Sequence, residues 1–316
     1  MDRTKTPPFT PFFSATMVVS TPPSPTQSLY PSEIFQWRGH SIRYTTYGIG
    51  DPVVLIHGFG ASLDHWRNNI SAIADQGYQV FALDLLGFGR SQKPALEYSM
   101  ELWQELLLDF WAEHIQQPTV WVGNSIGALL ALMLAAAAPE KTRGAALLNC
   151  AGGLNHRPEE LPLPLRVVMG TFERVVNNRL VGPWLFDRVR QRNRIENTLK
   201  QVYGNRDAIT PELLDLLYEP SCDAGAYEVF ASIMSAPPGP KPTELLPKIQ
   251  SSNIHLWGEA DPWTPIKGAD IYTDLAKAGD ERIRFYSIAE TGHCPHDERP
   301  EWVNERLVKW MKKDLS

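Results

Sequence analysis

Three side chains far apart in the chain have the types needed for nucleophilic hydrolysis: Ser125, Asp261 and His293. A serine hydroxyl is a weak nucleophile at its own pKa and needs a base beside it. A histidine serves as that base when a carboxylate fixes its tautomer. Ser125 lies in Gly123-Asn124-Ser125-Ile126-Gly127, between an apolar run from Thr119 to Val122 and a helical pattern from Ala128 to Ala138. Strand, sharp turn and helix form the setting in which G-x-S-x-G lifts a serine hydroxyl from the end of a sheet. Gly123 and Gly127 fit because a side chain at either would strike the neighbouring helix or strand.

Asp261 follows the strand pattern Asn253 to Trp257 in Gly258-Glu259-Ala260-Asp261-Pro262, and His293 follows Arg284 to Ile288 in Thr291-Gly292-His293-Cys294-Pro295. The order Ser, Asp, His is the one expected when all three occupy strand ends of one sheet. Ser125 is assigned as nucleophile, His293 as general base and then acid, and Asp261 as the orienting carboxylate. His296 competes as the base, but Gly292 provides the tight turn at His293. The pair His293 and Cys294 with His296 has no second cysteine pair, so no metal site is expected. Glu259 reads as a surface or supporting carboxylate. His57 precedes the serine and reads as a residue that shapes its own turn. That turn, His57-Gly58-Phe59-Gly60, supplies one oxyanion donor, the backbone N–H of Phe59; the N–H of Ile126 supplies the other. Asp84 with Gly87, Gly89 and Ser91 has two glycines of a dinucleotide fingerprint, but Gln92 stands at the third position, so the segment reads as a structural loop.

These residues need a scaffold. Phe35 to Tyr47 alternates like a hairpin around Arg38-Gly39-His40, and apolar strand patterns follow at 52–58, 78–85, 119–122 and 144–149. Helical stretches separate them, including 100–117, which Ser99 caps and Pro118 ends. Strands alternating with helices predict a parallel sheet covered on both faces, with active residues at the carboxyl ends of its strands. His57, Asp84, Ser125 and Asn149 fall at such ends. From 154 to 245 the pattern is helical, bracketed by prolines, and strands return at 253–257 and 282–288. The predicted organisation is a core of 33–153 and 246–316 with a helical lid of 154–245 inserted between two strands. Trp184, Phe186 and Pro237 of the lid are expected to wall an apolar pocket.

The chain has 316 residues, 43% hydrophobic and 21% charged, with a net charge of −6. That balance carries no footprint for nucleic acid. Three widely spaced cysteines do not make a disulfide framework and favour a reducing compartment. No apolar run reaches the ~18 residues of a spanning helix. Residues 1–32 are rich in Pro, Ser and Thr and read as a disordered tail. A Ser-rich, acid-poor leader also has the composition of an organelle transit peptide, against which arginine is scarce and Met17 offers another start. The tail lacks an apolar h-region, so secretion is not expected. Between Asn155 and Arg206 there are ten Lys and Arg against five acids, interleaved with Trp184, Leu185, Phe186 and Val189. The ordinary reading is a solvated helix face; the other is peripheral contact with an anionic membrane.

Together, His57 to Gly60, Asp84 with Gly87 to Ser91, Gly123 to Gly127, and the later Asp and His resemble the α/β-hydrolase superfamily over about Phe35 to Lys313. Ser125 sets the chain apart from members with an aspartate nucleophile. Tyr203 to Arg206, Ala236 to Pro240, Trp257 to Pro265 and Gly292 to Pro300 are similar to plant and cyanobacterial hydrolases that include chlorophyll dephytylase, with pheophytinase more distant. That resemblance implies an acyl-enzyme mechanism without a cofactor, and the phytyl ester of chlorophyll-type pigments as substrate. It also implies a cytoplasmic or thylakoid-peripheral location, or a plastid if the tail is a transit peptide. Where the superfamily elbow often carries a second glycine, this chain has Ala128. The Gly-Asn-Ser-x-Gly elbow also resembles carbon–carbon bond hydrolases of ring-cleavage products and cofactor-free perhydrolases. A hydrolase-fold small-molecule receptor is the alternative from another class.

Overall fold

The computed structural model describes residues 29–155, 157 and 162–315, so the expected tail lies outside the described residues up to 28. Tyr30, placed in the tail by composition, is fastened to the core: its hydroxyl donates to the Arg67 carbonyl at 3.0 Å and its ring packs edge-on against Tyr47.

Eight strands form one sheet: β1 (Glu33–Trp37), β2 (His40–Tyr47), β3 (Asp51–Ile56), β4 (Tyr78–Leu83), β5 (Thr119–Asn124), β6 (Thr142–Leu148), β7 (Ser252–Gly258) and β8 (Ile283–Ile288). Their spatial order is β1-β2-β4-β3-β5-β6-β7-β8. The pairings β1–β2 and β2–β4 are antiparallel, and all the others are parallel. In β3, Val53 and Leu55 face one layer and Val54 and Ile56 the other, and all four are fully buried. Burial on both faces explains why the strand is continuously apolar. Each such side chain contributes about 2 kcal/mol of transfer free energy.

The helices cover both faces. α1 (Ile70–Ala74) lies on one face, and α2 (Met100–His114) and α3 (Ile126–Ala137) lie on the other. Ser99 caps α2 by accepting from the Leu102 N–H at 3.2 Å. The helix stops at His114, short of the predicted end, and Gln116 turns the chain with a φ of 55°. Between β6 and β7 run α4 (Leu163–Val176), α5 (Val181–Val189), α6 (Arg192–Val202), α7 (Pro211–Ser221), α8 (Ala226–Met234) and α9 (Pro242–Leu245), with no strand among the described residues. α10 (Asp270–Lys277) precedes β8, and α11 (Pro295–Glu298) and α12 (Pro300–Asp314) end the chain, α12 packing with α1. No helix among the described residues is long and apolar enough to cross a membrane.

Candidate active site

Ser125 stands between β5 and α3 with φ 58° and ψ −118°. A non-glycine residue held there stores about 1–3 kcal/mol of strain, so its surroundings must enforce it. They do: its N–H donates to the Leu148 carbonyl at 3.0 Å, and its carbonyl accepts from the Ala151 N–H at 3.1 Å. A Cβ at Gly123 would overlap the Gly127 carbonyl on α3, and one at Gly127 would overlap the Ile56 carbonyl on β3. Only glycines let strand and helix approach closely enough to make this turn.

His293 and Asp261 come from the loops after β8 and β7. Nδ1 of His293 lies 2.6 Å from Oδ2 of Asp261. The backbone of His293 is fixed at both ends: its N–H donates to the Val202 carbonyl at 2.8 Å, and its carbonyl accepts from Nδ2 of Asn124 at 2.8 Å. Asp261 also accepts from Nδ2 of Asn149 at 2.8 Å, from the Trp263 N–H at 2.7 Å, and from the Thr264 hydroxyl. Burial pushes the Asp261 carboxyl upward, but the hydrogen bond and charge of His293, with the Thr264 and Trp263 donors, outweigh it. The net pKa is below the ordinary carboxylate value, so the group is an anion that fixes the imidazole.

Ser125 and His293 open onto one cleft of about 270 Å³. Its walls are mostly apolar, with Phe88, Phe186, Leu199, Val229, Phe230 and Trp263 prominent. Among the described residues, no protein acceptor takes the N–H of Phe59 or of Ile126, the two amides expected to face an oxyanion. The Phe59 loop is held by His57, which is fully buried. His57 Nε2 accepts from the Leu85 N–H at 3.0 Å, leaving Nδ1–H to donate to the Gly58 carbonyl at 2.7 Å. Burial lowers the His57 pKa and keeps this neutral tautomer. Asp84 anchors the other end of the loop by accepting from the Leu63 N–H at 2.6 Å and pairing with buried Arg43 at 3.3 Å.

Of the three pocket residues expected from the insertion, Phe186 lines the cleft and Trp184 and Pro237 do not. Trp184 and Phe186 are about 200° apart around α5, so when Phe186 points inward Trp184 faces solvent. Pro237 is exposed in a loop that closes on the start of the insertion, where the Pro238 carbonyl accepts from the Leu154 N–H at 2.8 Å. His296 is fully buried against Trp66, with ring centroids 4.1 Å apart, and is not among the cleft residues. Glu259 turns away to accept from Ser287 at 2.6 Å.

Sequence reasoning missed Asn149 and Thr264. Asn149 falls at a strand end, but nothing in its spacing to Asp261 exposes their contact. It also missed a buried cluster beside the cleft. Tyr203, at the end of α6, donates to Oδ2 of Asp297 at 2.9 Å and lies 2.9 Å from Nε2 of His65. Arg67 pairs with Asp297 at 2.8 Å. The cluster ties the insertion to the core. Among the described residues, no three His, Cys, Asp or Glu side chains are grouped to hold a metal ion.

An elbow serine, an imidazole paired to a carboxylate, and a mostly parallel eight-stranded sheet define a class. Residues 53–306 match the model of the alpha/beta hydrolase family, and the chain belongs to that family. Among curated relatives it is 28% identical over 300 residues to a chloroplastic pheophytinase of Arabidopsis thaliana, covering 82% of this chain and 61% of that protein. The chain thus spans under two thirds of that relative's length. It is 30% identical over 193 residues to a 2-hydroxy-6-oxo-2,4-heptadienoate hydrolase of Pseudomonas putida, covering 60% of this chain and 62% of that one. Among solved structures it superposes on a membrane phospholipase A, described as a bacterial virulence factor, with a TM-score of 0.70 and 25% identity over 90% of this chain and 86% of that one.

Proposed function

We propose that the protein hydrolyses a carboxylic ester of a large hydrophobic substrate through an acyl-enzyme at Ser125. The observation that carries this reading is a strained serine sharing an apolar cleft with a histidine whose Nδ1 lies 2.6 Å from a buried carboxylate. Ser125 Oγ attacks the ester carbonyl as Nε2 of His293 takes its proton. The carbonyl oxygen becomes an oxyanion facing the N–H groups of Phe59 and Ile126. Collapse expels the alcohol, which takes the proton from His293. Water, deprotonated by the same nitrogen, then attacks the acyl carbonyl and releases the acid and free Ser125. Asp261 stays ionised throughout and stabilises the imidazolium.

The apolar walls suit a long hydrocarbon alcohol or acyl chain. Similarity to a pheophytinase supports the phytyl ester of a chlorophyll-type pigment as the substrate class. Similarity to a heptadienoate hydrolase supports a second reading, cleavage of a carbon–carbon bond in a dienoic acid. Such a substrate brings a carboxylate that needs a cation. The two basic side chains on the cleft wall are already engaged, Lys93 with Asp223 at 2.7 Å and Arg190 with Asp187 at 2.7 Å. That engagement favours the ester.

The test offers chlorophyll, pheophytin, a vinylogous diketone acid and p-nitrophenyl esters side by side to the purified protein, with Ser125→Ala as control. Ester turnover is expected, falling by at least about 10⁴-fold in the variant. Full activity in Ser125→Ala, or turnover of the diketone acid alone, overturns the reading.

A further inference from the structure

The first two helices of the insertion expose several large apolar side chains to solvent. On α4, Val168, Phe172 and Val175 fall at i, i+4 and i+7 and form one stripe. They are 60%, 39% and 37% exposed. The connection to α5 adds Leu180 at 86%, and α5 itself presents Val181 and Trp184 at 43% and 57%. α5 is two-faced. Gly182, Phe186 and Arg190 point inward, Gly182 packing against Tyr227 and the other two lining the cleft. Val181, Trp184 and Arg188 share the opposite face, with the Arg188 guanidinium 5.2 Å from the Trp184 ring centroid.

Charge on this hairpin is also one-sided. Residues 162–190 hold five arginines and two acids in a chain whose net charge is −6. One of the acids, Asp187, is paired with Arg190. Arg174, Arg179 and Arg188 are exposed and have no carboxylate partner among the described residues. Exposed aliphatic side chains and a tryptophan, rimmed by cations, match the boundary between anionic headgroups and acyl chains.

We infer that α4 and α5 dock the protein on an anionic lipid bilayer, with Leu180 and Trp184 inserted among the acyl chains and Arg174, Arg179 and Arg188 at the headgroups. The cleft residues Phe186 and Val189 lie on the same helix, so a bilayer-borne molecule reaches the cleft mouth along α5. Docking does not depend on which bond is cleaved.

The experiment is co-sedimentation of the full chain with vesicles of phosphatidylglycerol and phosphatidylcholine in equal parts, and with phosphatidylcholine alone. Binding to the mixed vesicles, weakened by salt, is expected. Arg174→Ser, Arg179→Ser and Arg188→Ser together should weaken it by about a hundredfold. Leu180→Glu with Trp184→Glu should reduce it by at least about tenfold. Leu180→Glu alone should retain the wild-type circular dichroism spectrum and p-nitrophenyl butyrate rate in vesicle-free buffer, which separates lost docking from lost folding. Equal binding to both vesicle types, no binding at all, or unchanged binding by the Glu variants overturns the inference. So does a wild-type dimer in light scattering that Leu180→Glu dissolves, since the face would then join two copies of the chain.

Discussion

Asn149 and Asp261 meet across neighbouring strand ends: Nδ2 of Asn149 donates at 2.8 Å to the carboxylate oxygen that lies 2.6 Å from Nδ1 of His293. Asn149 has a φ of 41° at the end of β6, and its amide also bridges the Gly258 backbone on β7, accepting from its N–H at 2.9 Å and donating to its carbonyl at 3.2 Å. One neutral side chain therefore bridges the carboxyl ends of β6 and β7 and donates to the Asp261 carboxylate.

Replacing it exposes that dependence. Asn149→Ala removes a donor to the ionised form, so the Asp261 pKa rises towards its ordinary value. Stability and activity that depend on ionised Asp261 are present above that value and are lost as pH falls through the folded pKa. The loss then begins at a higher pH in the variant. The acid limb of the kcat/KM profile should move upward, with kcat at neutral pH lower by about tenfold. An unmoved limb would remove Asn149 from the positioning of Asp261.

The backbone donor at Phe59 is testable by deleting its hydrogen. Phe59→Pro should lower kcat by at least about a hundredfold with little change in KM, because the lost interaction forms only with the oxyanion. Phe59→Ala keeps the N–H and serves as the comparison. Equal rates for the two variants would mean that the amide faces no developing charge.

Acid stability should be governed by buried histidines. Burial, the dominant influence, depresses His57 and His296, and takes His255 down to about 3. A base depressed in the folded state contributes stability above its unfolded pKa of about 6.5 that is lost as pH falls towards the folded value. Each such group adds about 1.4 kcal/mol per pH unit to the slope. Neither ring nitrogen of His255 has a partner among the described residues, and the ring stacks on Tyr272 with centroids 4.2 Å apart. His255→Phe should raise stability at neutral pH by about 1 kcal/mol and flatten the acid limb by one proton. Urea midpoints measured across the acid range check both, and an unchanged slope counts against the assignment.

Phe186 should separate long substrates from short ones. Its ring packs against Phe230 with centroids 5.1 Å apart, on the wall contributed by α5. Phe186→Ala should cut kcat/KM for a long-chain ester by about tenfold and leave a short p-nitrophenyl ester nearly untouched. Equal losses on both would point to a general disturbance of the insertion.

Much of this molecule is local, and local features are legible in a sequence. The elbow is written in Gly123, Ser125 and Gly127 because close approach of strand and helix excludes a Cβ at the two flanking positions. Buried parallel strands appear as unbroken apolar runs because both faces are covered, as in Val53 to Ile56. The strand-end placement of Asp261 and His293 follows from the same periodicity.

What tertiary structure alone decided is which side chains meet. Helical pattern places Trp184 and Phe186 on one helix but does not say which of them faces the cleft; the packing of Gly182 on Tyr227 decides it. Asn149 reaches Asp261, and Tyr203 reaches Asp297, across long stretches of chain. Chain order carries backbone propensity and burial pattern, whereas contacts between distant side chains depend on strand order and register, which exist only once the sheet has formed.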